Sequence, residues 1–281
     1  MMVFLPLPLN GWSFDYYLSN KVIYDLLPKL KQLRVLSLSH YKNISELPDS
    51  VGALKHLRHL DLSGTNIKRL PSVVCKLYNL QSLLLSDCKF LTELPEEIAM
   101  LVNLRHLDLS GTQLQEIPAQ IARLENLQTL SGFVVSRQQN GLKVGELQKF
   151  PNLQGKLCIS KLEKIVDSCD ASQANMKKKE QIEDLSLEWD SCTGQESQHL
   201  VLEHLQPSTN LNKPTIKFYG GTWFPNWLDN RNIINASNLF SELMLGLNSL
   251  EQLHIEGIPS RTAIPRDGLP ETLKSSVLQK L

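Results

Sequence analysis

The chain has 281 residues, and its 29 Lys and Arg balance its 29 Asp and Glu, so the formal net charge is zero. A neutral chain lacks the long-range field that draws basic proteins onto nucleic acid or anionic membranes, and we expect neither as a partner. Because 42% of the residues are hydrophobic and only 21% are charged, the composition predicts a folded protein and excludes a disordered one.

The first ten residues, MMVFLPLPLN, contain no basic residue, and two prolines interrupt their apolar run. This pattern fits neither a signal peptide nor a membrane anchor, and we assign residues 1–28 as a lead-in or cap. The five cysteines are scattered along the chain without C-x-x-C spacing. We therefore predict a cytoplasmic protein with reduced thiols, no metal site and no cofactor.

A leucine pattern of the form L-x-x-L-x-L dominates the first half of the chain. Copies begin at residues 33, 57, 80 and 104, and a partial copy begins at residue 127, so the period is 23 or 24 residues. Each copy continues with an apolar residue, a Leu-Pro or Ile-Pro pair and two further apolar positions. Four consecutive copies in phase predict leucine-rich repeats, which we assign to residues 29–131.

Each repeat predicts a short strand followed by an outer arc. Alternating leucines place every second side chain inward, and identical strands stack in parallel because each covers the open edge of the next. Prolines such as Pro71 end the extended segment and begin the arc. The predicted fold is an α/β repeat solenoid, a leucine-rich repeat horseshoe with a parallel concave β-ladder and a convex arc of short helices and 3₁₀ turns. The strands are expected to be centred near Ser37, Asp61, Leu84 and Asp108, with Leu60, Leu83 and Leu107 in one inward column.

Four residues fall in register where the chain leaves the strand, and they are Tyr41, Thr65, Cys88 and Thr112. Small polar or thiol side chains at this point can cap backbone groups of the adjacent repeat. We therefore interpret Cys88 as a structural residue and not as a nucleophile.

The period fails after Leu130. Residues 132–190 are assigned to longer, irregular repeats: 142–147 and 153–159 have strand-like alternation, 161–183 is charged with a helical pattern, and 185–189 resumes the strand pattern. Residues 191–281 are assigned to degenerate repeats with strands near 216–218 and 250–255. In that part Pro214 replaces an apolar strand residue, and 229–248 has lost the strand of one repeat.

The sequence resembles the leucine-rich repeat region of plant intracellular NB-LRR disease-resistance receptors of the coiled-coil class. The similar words include LKHLRHLDLSGTNIKRLP, LYNLQSLLLSDCKFLTELPEEI, IEDLSLEW and YGGTWFPNWL. The resemblance implies a sensor region that binds pathogen effectors or guarded host proteins and holds a nucleotide-binding switch off. The implied partners are thus an effector, a host protein or a nucleotide-binding receptor portion.

The nucleotide-binding portion itself is not represented in these residues. That portion requires a phosphate-binding G-x-x-x-x-G-K-[ST] loop, and no such string occurs in the sequence. We therefore expect no ADP or ATP site, and a protein that acts by binding other proteins.

The positions between the inward leucines supply the candidate binding surface. We expect them to face solvent on the concave wall and to contact a partner, although an ordinary solvated sheet face would show the same pattern. The candidates are Val35, Ser37, His40, His59, Asp61, Ser63, Ser82, Leu84, Asp87, His106, Asp108 and Ser110.

Other polar groupings do not predict an enzyme. His59, Asp61 and Ser63 have the residue types of a hydrolase triad, but side chains on one strand face project parallel and do not converge on a shared proton. His199 and His204 have the wrong spacing for a zinc-protease helix. The run 177–179 of three lysines is followed directly by acidic residues, so we interpret it as a solvated mixed-charge face.

Two functions from different classes remain open. The first is a recognition module similar to the sensor region of an immune receptor, and the second is a general scaffold or adaptor, such as a substrate-binding arm of a degradation complex. The lack of a catalytic grouping fits both.

Overall fold

A computed structural model describes residues 2–4, 20–190, 198–220, 225, 227 and 254–256. The chain divides into two compact units, one of residues 1–142 and 149–152 and the other of residues 143–148 and 153–281. The missing strand expected over 229–248 lies outside the described residues. The four-part division 1–28, 29–131, 132–190 and 191–281 stays a prediction.

The first unit is a parallel ladder with one strand per repeat. Its first six strands pair in parallel in chain order, and from β2 on an irregular segment leads from each strand to the next. The strands of this ladder are β1 (Met2–Phe4), β2 (Leu33–Ser37), β3 (His59–Asp61), β4 (Ser82–Leu84), β5 (His106–Asp108) and β6 (Thr129–Leu130). A further short strand, β7 (Phe133–Val134), follows and is not part of this ladder. Helix α1 (Asn20–Leu26) precedes β2, and 3₁₀ turns span Leu27–Lys29, Asp49–Ala53, Ser72–Lys76, Glu96–Met100 and Ala119–Arg123.

The second unit repeats the parallel arrangement with longer strands. Strands β8 to β11 pair in parallel in chain order. They are β8 (Gly155–Ser160), β9 (Ile182–Glu188), β10 (Lys213–Lys217) and β11 (His254–Glu256). The remaining elements are α2 (Ser168–Gln173), α3 (Gln198–His204) and 3₁₀ turns at Val144–Lys149, Leu162–Lys164 and Met176–Lys178.

The predicted column of inward leucines is confirmed. Leu60 pairs in register with Leu83, Leu83 pairs with Leu107, and all three have no exposed side-chain surface. The strands are centred one or two residues before Ser37, Asp61, Leu84 and Asp108, so their predicted positions are confirmed to within two residues. Backbone bonds between repeats continue past these residues, and the Leu62 N–H donates to the Leu84 carbonyl at 2.9 Å.

The prolines begin the outer arcs as predicted. Pro71, Pro95 and Pro118 have φ values of −66°, −64° and −57°, and a 3₁₀ turn starts at the next residue in each case. Buried residues of these turns, such as Ile98, close the core from the side opposite the ladder. Parallel strands on one side and 3₁₀ arcs on the other form the leucine-rich repeat fold that the sequence predicts.

Capping at the strand exit differs from the prediction in its detail. The hydroxyls of Thr65 and Thr112 donate to the carbonyls of Leu62 and Leu109 in their own repeats, at 2.7 and 2.8 Å. The Cys88 thiol donates to the adjacent repeat, with its Sγ 3.1 Å from the Leu62 carbonyl oxygen. The same Sγ lies 3.6 Å from the Thr65 hydroxyl of that repeat.

Several expectations for the second half were wrong. Residues 144–149 form a 3₁₀ turn and not a strand, because three of the six are buried with helical spacing. Pro214 does not abolish the strand: it pairs with Leu185 at the second position of β10, where a missing N–H removes one bond near the strand end. The lysine run is only partly solvated, since Lys179 is 6% exposed and burial lowers its pKa to about 8.

Candidate recognition surface on the first ladder

The outward side of β2 to β5, with the residues that directly follow each strand, is called here the ladder face. All twelve candidate residues lie on it or at its border, and most are half-buried or exposed. Three differ from expectation. Ser82 is only 8% exposed, because it lies between His59 and His106 on the flanking strands. His40 and Asp87 lie in the turn that leaves the strand and not on the sheet.

The turn requires a left-handed backbone at one position in every repeat. His40, Gly64, Asp87 and Gly111 occupy this position with φ values of 65°, 67°, 56° and 69°. Glycine adopts this conformation without cost, and His and Asp tolerate it better than most residues. His40 and Asp87 therefore support the backbone conformation of the turn.

The two histidines of the face bind hydroxyls on the next strand. The Nδ1 atom of His59 is 3.0 Å from the Ser82 hydroxyl, and the Nδ1 atom of His106 is 3.2 Å from the Thr129 hydroxyl. These cross-strand bonds fix the imidazole rings, so each ring presents its other nitrogen in one orientation. Burial, the neighbouring His59 and the Arg105 guanidinium lower the pKa of His106 below its usual value.

The two carboxylates of the face accept hydrogen bonds from serines. Ser37 donates its hydroxyl to Asp61 at 2.9 Å, and the Ser63 backbone N–H donates to the same carboxylate at 3.0 Å. Asp108 accepts from the Ser110 N–H, the Ser110 hydroxyl and the Ser131 hydroxyl. Both aspartates are thus held in place by the repeat that contains them and by one neighbouring repeat.

The hydrolase grouping is not assembled. His59 binds Ser82, Asp61 binds Ser37 and the Ser63 backbone, and no hydrogen bond joins His59 to Asp61. A proton relay needs a base bonded to both an orienting group and a nucleophile, so this geometry does not support catalysis.

The second histidine pair is also separated. His204 donates its Nδ1–H to the Ser168 carbonyl at 2.8 Å, whereas His199 lies exposed on α3. Within the described ranges, no group of three or more His, Cys, Asp or Glu residues is placed to hold a metal ion. The described helices include none that is long and apolar enough to cross a bilayer.

Sequence reasoning missed one row of residues beside this face. Arg34, Arg58 and Arg105 are exposed and directly precede the outward residues of β2, β3 and β5. The repeated word L-R-x-L could have identified them, because the position after the first leucine is arginine in three of the five copies.

Three models of leucine-rich repeats match the chain. The model described as R13L1/DRL21 LRRs matches residues 144–270, the one described as a leucine-rich repeat region matches residues 15–93, and the one described as a leucine-rich repeat matches residues 103–124. Together these matches include both units of the structure.

Curated plant proteins are similar over most of the chain. A putative disease resistance RPP13-like protein 1 of Arabidopsis thaliana is 42% identical over 95% of this chain. The putative disease resistance protein RGA1 of Solanum bulbocastanum is 44% identical over 76% of it. The chain spans about a quarter of the length of these relatives, 27% and 22% respectively.

A solved structure has a similar fold. It is the leucine-rich repeat ectodomain of the plant membrane receptor kinase GASSHO1/SCHENGEN3 from Arabidopsis thaliana in complex with CASPARIAN STRIP INTEGRITY FACTOR 2. The match covers 83% of this chain and 25% of that one, with a TM-score of 0.50 and 19% identity. At this identity the likeness supports the fold and no more.

Proposed function

The chain belongs to the leucine-rich repeat proteins, in the group similar to plant disease-resistance proteins, and from that premise we propose that it recognises other proteins through its ladder face. The proposed partners are a pathogen effector, a guarded host protein or a nucleotide-binding receptor portion. The proposed role is defence recognition without enzymatic activity.

One observation carries the proposal: the polar side chains of the ladder face are ordered by bonds between repeats. Hydroxyls of neighbouring strands hold His59, Asp61, His106 and Asp108 in fixed positions. A surface whose side chains are already ordered loses less entropy when a partner binds. Such a face is suited to protein recognition, whereas it offers neither an assembled proton relay nor a metal-binding group among the described residues.

The proposed compartment is the cytoplasm. Cys75, Cys88, Cys158 and Cys169 are free thiols, which is usual where glutathione keeps cysteines reduced. Burial raises the pKa of the Cys75 and Cys158 thiols to about 12, so these two are protonated and unreactive at neutral pH.

Affinity capture from plant extract tests the proposed surface. The bait is the full chain, and its variant replaces His59, Asp61, His106 and Asp108 with alanine. The control variant replaces four exposed residues of the 3₁₀ arcs, Lys76, Glu96, Glu97 and Arg123, with alanine. We expect the wild type and the control to retain the same protein and the ladder-face variant to lose it, provided that all three have similar circular dichroism. Equal retention by all three baits, or loss in the control alone, would contradict the proposal.

A further inference from the structure

Charges on and beside the ladder face are unequally compensated. The carboxylates of Asp61 and Asp108 already accept two and three hydrogen bonds from serine donors of the chain. Each of those bonds uses an acceptor site of the carboxylate that a partner's donor could otherwise occupy. Asp61 and Asp108, the acidic residues on the strands of the face, are therefore partly used within the protein, whereas Asp87 lies exposed in the turn.

The arginines beside the face are not compensated in this way. Arg34, Arg58 and Arg105 are exposed, and among the described residues none of the three forms an ion pair. The second ladder shows the contrast, since the Lys217 ammonium is 2.9 Å from Glu188 on the next strand. Because the described residues offer no carboxylate partner to these three guanidinium groups, the groups can pair with an external acidic group.

Backbone hydrogen bonds place the arginines in one row across the strands. The Arg58 N–H donates to the Arg34 carbonyl at 2.8 Å, Gln81 donates to Arg58 at 2.7 Å, and Arg105 donates to Gln81 at 2.9 Å. Adjacent parallel strands are about 4.8 Å apart, so the row from Arg34 to Arg105 is about 14 Å long. His59 and His106 follow Arg58 and Arg105 directly and form a parallel row of groups that become positive on protonation.

We propose that the arginine row binds an acidic segment of the protein partner, which lies across strands β2 to β5 with its carboxylates toward Arg34, Arg58 and Arg105. The inference rests on the proposed function and adds the chemistry of the partner. Extended chain rises about 3.3 Å per residue, so about five residues span the row. The planar guanidinium group pairs with a carboxylate through two parallel N–H bonds, which favours this class of ligand.

A peptide-binding experiment tests the inference. The probe is a fluorescent eight-residue peptide of alternating glutamate and serine, and the control peptide has glutamine in place of glutamate. We expect the full chain to bind the glutamate peptide, with an affinity that falls as salt is raised from 50 to 300 mM because exposed ion pairs are screened (about 10 Å Debye length at 0.1 M). Equal binding of the glutamine peptide would overturn the proposal.

Charge-matched variants locate the binding. The variant Arg58→Gln with Arg105→Gln should lower the affinity for the glutamate peptide about tenfold, as expected for the loss of two exposed ion pairs. The control, Lys76→Gln with Arg123→Gln, removes the same charge from the 3₁₀ arcs and should leave the affinity within about twofold. Equal losses in both variants would overturn the inference, because they would indicate a nonspecific charge effect. So would equally tight, arginine-dependent binding of a single-stranded oligonucleotide.

The inference and the proposed function can fail separately. If the partner captured from extract is lost with the four-residue ladder-face variant but retained at full strength by Arg58→Gln with Arg105→Gln, the acidic-segment inference is wrong and the recognition face stands. If the glutamate peptide binds as expected while capture is unaffected by the ladder-face variant, the arginine row is a binding site and the proposed function is wrong.

Discussion

Leu83 and Leu84 are consecutive residues of β4 that face opposite sides of the ladder. Leu83 has no exposed surface and pairs with Leu60 and Leu107, whereas Leu84 is half-buried on the outward side. Leu83→Ala should lower the free energy of unfolding by about 2–5 kcal/mol, because it leaves a cavity in the column. Leu84→Ala should cost about 1 kcal/mol or less.

Chemical denaturation of the two variants measures this difference. The same substitution at adjacent positions controls for chain length, composition and local propensity. Equal midpoint shifts for Leu83→Ala and Leu84→Ala would contradict the assignment of inward and outward faces.

Titration of His106 should occur below the usual range for histidine. Burial, His59 and Arg105 all disfavour the imidazolium, and Thr129 supplies a neutral partner. Because the folded state then binds fewer protons than the unfolded state, His106 contributes stability that is present above about pH 6.5 and is lost as the pH falls through the lowered pKa.

Nuclear magnetic resonance of the imidazole Cε1–H signals measures the pKa of His106 directly. Arg105→Gln should move the pKa of His106 upward, toward the value of an isolated histidine, because one positive neighbour is removed. A His106 titration midpoint above that of a model peptide, or no change on Arg105→Gln, would contradict the described environment.

Residues that face the core were predictable, and residues whose environment depends on neighbours were not. Alternating leucines fix Leu60 and Leu107 inward because the strand period is two. Ser82 is buried by the histidines on both flanking strands, and Lys179 is buried by its packing, which no local pattern shows. The arginine row is visible in the sequence as the residue that follows the first leucine in three of the five copies, one position before the predicted outward residue.

At the scale of elements, the turn after each strand is as constrained as the strand itself. Gly64 has φ +67°, and a Cβ added there would lie 2.7 Å from the His40 Nδ1 atom. Gly64→Ala should therefore lower the free energy of unfolding by about 1–2 kcal/mol, since alanine disfavours the left-handed conformation. Ser63→Ala, one residue earlier and without positive φ, should cost less than about 1 kcal/mol. Thermal melting that ranks the two variants in the reverse order would contradict this account of the turn.

The repeats themselves were predictable to within a few residues. The period, the prolines and the inward leucines together locate the strand of each repeat, its 3₁₀ arc and the segment that leads to the next strand. They do so because each repeat buries its core only against the next. The second half was harder because its repeats differ in length. Residues 144–149 have alternation that suits either a strand or a 3₁₀ turn, and Pro214 disfavours a strand that pairing with β9 nevertheless stabilises.

At the scale of the whole molecule, two parallel ladders present polar outward faces that differ in charge compensation. The first unit has the serine-bonded aspartates and an arginine row without an ion pair to any described residue, and the second has the Glu188–Lys217 ion pair. Hydrogen bonds from Lys217 and Ser186 lower the pKa of Glu188 although its burial acts in the opposite direction. These differences are the reason for placing the proposed acidic partner on the first unit.

Composition and repeats were sufficient to predict the fold at this scale, whereas the recognition function rests on the resemblance and stays a proposal. They could not predict the partner, since the period and the leucines define the core and not the charges beside it. The chemistry of the partner therefore depends on which charges the structure leaves uncompensated.

Hydroxyl-radical footprinting of the complex with the protein captured from extract tests the central claim most directly. His59, Leu84 and His106 on the ladder face should be protected from oxidation when the partner is bound. Tyr78, Met100 and Val102, which are exposed at or near the 3₁₀ arcs, should react as in the free protein. Protection of Tyr78, Met100 and Val102 with full reactivity of His59 and His106 would contradict recognition through the ladder face.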